Sequence, residues 1–353
     1  MVIATTILSG GEGRASVIGD AVRSAALFSD AFIFIRTDYT ADEPILVGIE
    51  TCEELRKRYQ VSPYDGPFTC CADGRNLCLR TARDLSVDWC CILDTDERMH
   101  MNCDIREILT KTRAETVRVW SRDGIQQYTK DRFIRANSKG EYRYPVHEIF
   151  VHDGPTEVLS QKLATFSELP KTAEQTQANA VSIERACRDW LEAEPGTYRA
   201  AYYVADSLDV QHKKSEAIEA FRAAATLAKN ATEHGEAMLR VAQLQAMLGQ
   251  FEDCRITCLS AMFTTTHMPE FPWLMAMMHR EREEWEHALD CANMAIALGK
   301  TTNLATVRNL MQTLKVEIAQ TYGPWAIRRD ALHKLGLTRE SEEADRIFKE
   351  LKQ

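Results

Sequence analysis

The stretch Asp88-Trp-Cys-Cys-Ile-Leu-Asp94-Thr-Asp96-Glu97-Arg98-Met99 is an apolar run that ends abruptly in acids. Side chains two apart on an extended backbone point to the same side. Asp94 and Asp96 are therefore expected to converge at the carboxyl end of a strand, where open α/β sheets bind ligands. Carboxylates that close repel one another unless a cation sits between them, and a hard divalent ion, Mg²⁺ or Mn²⁺, is the natural partner. Such an ion keeps open positions for the phosphate oxygens of a nucleotide. A plain surface turn after a strand is the alternative, because Asp is common in turns.

Two other clusters carry weaker signals. His147-Glu148-Ile-Phe-Val-His152 resembles the zinc-protease H-E-x-x-H, but its second His falls at i+5, off the helical face that zinc requires. Ser9-Gly10-Gly11-Glu12-Gly13 does not have the G-x-G-x-x-G spacing of a dinucleotide fingerprint. A tight glycine turn beside a nucleotide is the more economical reading of Gly10 and Gly11.

These residues must be positioned by elements the sequence also predicts. Short apolar runs at residues 3–8, 31–35, 89–93 and 116–120 read as buried strands, with amphipathic helices at 15–28 and 74–85 between them. That alternation predicts a mostly parallel α/β sheet. Residues 62–68, with Pro63, Asp65, Gly66 and Pro67, read as an irregular loop over the site. After about Thr172 apolar residues recur at helical spacing and the second half is predicted to be all helix.

An internal repeat lies within that half. Ala217-Ile-Glu-Ala-Phe221-Arg-Ala-Ala224, Cys254-Arg-Ile-Thr-Cys258-Leu-Ser-Ala261 and Ala288-Leu-Asp-Cys-Ala292-Asn-Met-Ala295 superpose, with starts 37 and then 34 residues apart. This is close to the 34-residue helix-turn-helix period of tetratricopeptide (TPR) repeats. Gly249-Gln-Phe251 and Glu283-Glu-Trp285 precede the second and third blocks as a turn and an aromatic; Lys213-Lys214 is a weaker match before the first. From Pro324 onward the pattern predicts two capping helices, with Arg328, Arg329 and Lys349 on their outer face.

The 353 residues, 45% hydrophobic, suffice for two cores. A net charge of -9 argues against a nucleic-acid partner. No apolar run of membrane-spanning length and no export leader is found, so a cytoplasmic protein without a membrane partner is expected. The 11 cysteines, without a C-x-x-C pair, read as buried free thiols.

The run Ala72-Asp73-Gly74-Arg75-Asn76, then Asp88-Trp89, then Leu93-Asp94-Thr95-Asp96-Glu97, resembles the "A-R-N … G-D-W … L-D-A-D-E" pattern of family 2 glycosyltransferases. More narrowly it is similar to members that carry TPR repeats behind a GT-A type catalytic domain. Tyr144-Pro-Val-His147-Glu148 is similar to their "R-V-H-E" element, with Pro145 at the Arg position. The resemblance implies a Rossmann-like, nucleotide-sugar-binding sheet domain over residues 1–170, a linker helix over 171–197, TPR-like repeats over 198–300 and capping helices over 301–353.

It further implies an inverting, metal-dependent hexosyltransferase using a uridine diphosphate sugar. Asp94 and Asp96, with His147 from a later loop, would hold Mn²⁺ or Mg²⁺. Glu148 or Glu97 would serve as general base. Arg75, Asp73, Arg36, Gly10, Gly11 and Asp94 would line the donor site, although Arg75 could instead pair with Asp73 or Asp94. The acceptor, a protein or glycan, would dock on the repeats, or the repeats would mediate self-association. The sequence departs from the family pattern where Arg36-Thr37-Asp38 follows the second strand and where the glycine cluster follows the first. A non-catalytic TPR adaptor with a degenerate transferase domain is the competing reading. A nicotinamide-dependent enzyme is disfavoured by Arg36 and by the glycine spacing.

Overall fold

The structure, a computed structural model, describes residues 1–9, 15–36, 59–63, 70–122, 128–301 and 321–352. The chain divides into two compact units, Met1–Lys171 and Thr172–Gln353.

The first unit contains β1 (Ile3–Ser9), α1 (Ala15–Ala26), β2 (Ala31–Arg36), β3 (Tyr59–Pro63), α2 (Cys71–Asp84), β4 (Trp89–Asp94), β5 (Glu97–Met101) and α3 (Ile105–Lys111). There follow β6 (Thr116–Ser121), β7 (Thr129–Arg135), β8 (Glu141–Arg143), β9 (Ile149–Val151), β10 (Thr156–Val158) and β11 (Ala164–Glu168). The main sheet runs β3-β2-β1-β4-β7-β6-β11-β5, with β10 on β6, while β8 and β9 form a separate pair.

The sheet is mixed: among the described residues five of its strand pairs are parallel, as expected, and three are antiparallel. β3, β2, β1 and β4 are parallel. β7 lies antiparallel between β4 and β6, and β5 antiparallel on β11. The reason is local: β6 is followed by a connection too short for a crossover helix, so the chain can only return antiparallel. Strand β7, Thr129-Lys-Asp-Arg-Phe-Ile-Arg, carries too many charges to read as an apolar run. Ser62 and Pro63 are also strand residues, paired with Ile35 and Arg36, rather than part of a loop; residues 64–68 lie outside the described residues.

Each face of the sheet has its own core, sorted by the two-residue period of the strands. Ile3, Ile7, Phe32, Phe34, Trp89, Cys91 and Leu93 pack with Ile18 and Val22 of α1. Ala4, Ile33, Ile35, Cys90 and Ile92 pack with Cys78, Leu79 and Ala82 of α2. Asp94 has the parity of Cys90 and Ile92, so the strand delivers it to the α2 side.

The second unit is all helix among its described residues: α4 (Ala173–Ala193), α5 (Tyr198–Val210), α6 (Lys214–Thr226), α7 (Ala231–Met247), α8 (Phe251–Thr264), α9 (Glu270–Glu281), α10 (Trp285–Thr301), α11 (Gly323–Lys334) and α12 (Thr338–Lys352). It opens with a capping box in which Thr172 Oγ1 accepts from Gln175 N–H and Gln175 Oε1 accepts from Thr172 N–H. The superposed blocks fall on α6, α8 and α10, and form TPR-like hairpins with α5, α7 and α9. Ala217, Phe221 and Ala224, then Cys254, Cys258 and Ala261, then Ala288, Ala292 and Ala295, are all fully buried, because small residues let neighbouring helices approach.

The hairpin turns are also alike. His212, Gly249, Glu283 and Gly336 all have left-handed φ, between 58° and 77°. In each, the residue after the left-handed one donates back to the carbonyl five positions earlier, as Gln250 does to Gln245, which closes a Schellman motif. In the C-terminal pair Ile327, Ala331, Leu332 and Ala344 are buried. Arg329 is half-buried and bridges Asp330 and Asp345, so it holds the pair together and does more than cover its outer face. No described helix is long and apolar enough to cross a membrane.

His212 and Glu283 are exposed L-residues in a conformation that glycine adopts without strain. His212→Gly and Glu283→Gly are expected to raise stability by about 0.5 kcal/mol each, and Gly249→Ala to lower it by about 1 kcal/mol. Denaturant titration of the three variants measures this.

Candidate functional site

Strands β1, β2 and β3 step outward in one direction, and the chain then returns to place β4 on the other side of β1. This reversal, where Leu8 pairs with Asp94, is a topological switch point of the kind at which open α/β sheets bind ligands. Asp94 ends β4 at that edge, and α2 begins beside it.

Arg75, just past the first turn of α2, joins two of the acids singled out by sequence. Its Nη2 donates to Asp94 Oδ1 at 2.7 Å and its Nε to Glu148 Oε1 at 2.5 Å. The guanidinium also lies 5.7 Å from the Tyr142 ring centroid. Asn76 clamps the strand carrying that ring: its Nδ2 donates to the Tyr142 carbonyl at 2.9 Å and its Oδ1 accepts from Tyr142 N–H at 2.7 Å. The Arg-Asn pair thus ties α2 to the β8–β9 hairpin, whose connecting loop supplies Glu148.

Behind Asp94 lies a buried ion network. The Asp94 N–H donates to Glu97 Oε2 at 2.8 Å, and Glu97 Oε1 accepts from Lys130 Nζ at 2.8 Å and Arg132 Nη2 at 2.5 Å. Lys130 also reaches Glu168 at 2.8 Å, and Arg132 stacks 4.0 Å over Phe166. Burial by itself would raise the Asp94 pKa. Arg75, Lys130 and Arg132 outweigh it and hold the carboxyl well below the usual carboxylate range.

The remaining sequence-derived residues are placed as follows. Asp96 stands in the turn after β4, not on the strand, so it does not inherit the parity of Asp94. Its carbonyl accepts from Leu169 N–H at 2.8 Å, and its carboxylate lies 3.7 Å from Lys171 Nζ. His147 is exposed with φ 49°, and the ligand atoms of Asp94, Asp96 and His147 are not gathered within 4.8 Å of one another. Glu97 is 1% exposed and held by two cations, which leaves it no path to a substrate proton. Asp73 is exposed in the first turn of α2. Arg36 ends β2, with its side chain outside the described residues, as are Gly10 and Gly11. His147 and His152 do not form a zinc motif, since β9 between them is a strand and His152 faces Thr116 and Thr156.

Sequence reading missed Lys130, Arg132, Glu168 and Tyr142. The signal available was the alternation Lys130-x-Arg132, two cations on one face of a strand opposite an acid-rich turn.

Asp94 and Asp96 are the residues at this edge that could hold a divalent ion, although the turn takes Asp96 off the strand that carries Asp94. Asp94 stays ionised, as a metal ligand must, and its Oδ2 accepts no hydrogen bond from the described residues. The Asp96 carboxylate lies 3.7 Å from Lys171 Nζ and within electrostatic reach of Arg98. Mg²⁺ is bound in this manner elsewhere, by one or two carboxylates with substrate phosphates completing its shell.

The described cysteines are all free thiols. Burial pushes Cys78 and Cys91 up to about 12, so they are inert packing.

No family model matches this chain, and no curated protein does. Among solved structures it is similar to MamA, at 13% identity and TM-score 0.38, over 52% of this chain and 96% of that one. It is also similar to MamA from Desulfovibrio magneticus RS-1, at 12% identity and TM-score 0.37, over 51% of this chain and 94% of that one. A tetratricopeptide repeat protein from Parabacteroides merdae matches at 13% identity and TM-score 0.32, over 49% of this chain and 74% of that one.

Removing Arg132 would leave Glu97 buried with half its compensation. Arg132→Met is expected to destabilise the protein by on the order of 3 kcal/mol, with Glu97→Leu in the same chain restoring much of the loss, read by denaturant titration. The Asp94 pKa is depressed on folding, so its contribution is present above the ordinary value of 3.8 and is lost as pH falls through the lower folded value. A ¹³C NMR titration is expected to show Asp94 still ionised below pH 3.8, and to show its pKa move up in Arg75→Met.

Proposed function

We propose that the α/β unit is a metal-dependent glycosyltransferase domain that takes a nucleoside diphosphate sugar, of the uridine class, at the edge between β1 and β4. The observation that carries this reading is the Arg75–Asp94–Glu148 cluster. Three segments that resembled one transferase pattern, far apart in sequence, meet through direct ion pairs at the switch point of the sheet.

In this reading Asp94 and Asp96 would hold Mg²⁺ or Mn²⁺, which when bound would offset charge on the donor diphosphate. Arg75 neutralises Asp94 and orients Glu148. Glu148 Oε2 accepts no hydrogen bond from the described residues, and it takes the proton of the acceptor hydroxyl as that oxygen attacks the sugar from the face opposite the diphosphate. Transfer would therefore invert the anomeric carbon. Glu97, by accepting from the Asp94 N–H, is a positioning residue and not the base.

The helical unit supplies the acceptor-binding part. A groove of about 200 Å³ lies among Ser215, Glu219 and Arg222 of α6, Gln245 of α7, and Gln250 and Asp253 at the start of α8. Its polar lining suits an extended protein segment or glycan. The same groove would serve the competing adaptor reading, in which the first unit keeps only its shape.

The two readings separate on donor binding. With Mn²⁺ and saturating uridine diphosphate sugar, at about a hundred times the dissociation constant, a stabilisation of about 2.7 kcal/mol is expected by thermal shift. Asp94→Asn and Asp96→Asn are expected to abolish it. Glu148→Gln is expected to keep donor binding and slow transfer or donor hydrolysis by about 10²-fold or more. If no nucleotide sugar stabilises the protein with either metal, the transferase reading fails.

A further inference from the structure

The turn from α9 to α10 closes tightly: the Glu283 N–H donates to the Arg280 carbonyl at 3.0 Å, and the Glu284 N–H to the His279 carbonyl at 2.9 Å. It brings together His279 in the last turn of α9, Glu284, and His287 in the first turn of α10. One ligand atom from each lies within 4.8 Å of the other two. His279 Nδ1 is 2.6 Å from Glu284 Oε2, and the two imidazole rings stack with centroids 5.2 Å apart and planes 27° from parallel. The other Glu284 oxygen accepts from Arg282 Nε at 2.7 Å. The proposed sugar transfer uses none of these groups.

We infer that His279, Glu284 and His287 form a binding site for a divalent transition-metal ion of the zinc class, with its fourth position open to solvent. Two imidazole nitrogens and one carboxylate oxygen suit a borderline ion and not Mg²⁺ or Ca²⁺, which take oxygen ligands. Tetrahedral bonds of about 2.0–2.1 Å set donors roughly 3.3 Å apart. The ion therefore widens the His279–Glu284 contact slightly and draws His287 inward. His279 binds as the neutral imidazole through the nitrogen facing Glu284, with its one proton on the other ring nitrogen, so the metal takes the place of the His279–Glu284 hydrogen bond. Arg282 keeps its hold on the second Glu284 oxygen and fixes the ligand's orientation. The ion bridges the end of α9 and the start of α10, so it stabilises the folded hairpin by mass action.

The test is calorimetric titration of the full chain, without a polyhistidine tag, with Zn²⁺ alone, followed by thermal unfolding with and without the metal. Saturable zinc binding and a higher unfolding temperature are expected and, in the Asp94→Asn chain that lacks the proposed donor-site ligand, no such response to Mg²⁺. His287→Ala, which removes an exposed side chain, is expected to weaken binding at least about tenfold while leaving circular dichroism unchanged. His279→Ala is expected to do the same to binding. Asp94→Asn is expected to leave zinc binding intact, which keeps this site separate from the proposed donor site. Undiminished zinc affinity in His287→Ala and His279→Ala, or no saturable zinc binding to the full chain, overturns the proposal.

Discussion

Arg75 between Asp94 and Glu148 is the contact on which the edge of the α/β unit depends. Charges withdrawn from water are tolerable only when paired, and here one guanidinium answers two carboxylates from different elements. The consequence is geometric. The N-terminal part of α2, the end of β4 and the loop before β9 cannot move apart without leaving a half-buried charge uncompensated. Asn76, one residue on, extends the same restraint to the backbone of β8.

The pairing continues inward. Glu97 answers Lys130 and Arg132, Lys130 answers Glu168, and the Glu97 carboxylate accepts from the backbone of Asp94. Alternating signs across β4, β5, β7 and β11 let a mixed sheet carry charged side chains in its interior. They also give Asp94 a fixed ionised state, which a hard-cation ligand requires.

In the helical unit a backbone constraint plays the corresponding part. Each hairpin reverses through one left-handed residue and a Schellman closure, whether that residue is His212, Gly249, Glu283 or Gly336. The turn sets helix spacing, and buried Ala and Cys residues then let the second helix of each pair approach its neighbours. Because the closure is made by backbone hydrogen bonds, it survives His and Glu at positions where glycine would be less strained.

The sequence by itself determined the parallel strands β1, β2 and β4, the helices α1 and α2, the boundary near Thr172 and the three repeated helices. All of these are encoded in apolar periodicity, which reports burial residue by residue. It also drew attention to Arg75, Asp94 and Glu148, because their types and neighbours formed a pattern. Tertiary structure alone decided that β7 and β5 run antiparallel, that Asp96 leaves the strand, and that Glu97 is a buried strut, not an available base. Only folding brought His279, Glu284 and His287 within ligand distance of one another. The physical reason is common to these cases: a charged side chain's partners come from distant segments, as Lys130 and Arg132 do for Glu97, or from a turn whose backbone course local periodicity does not encode.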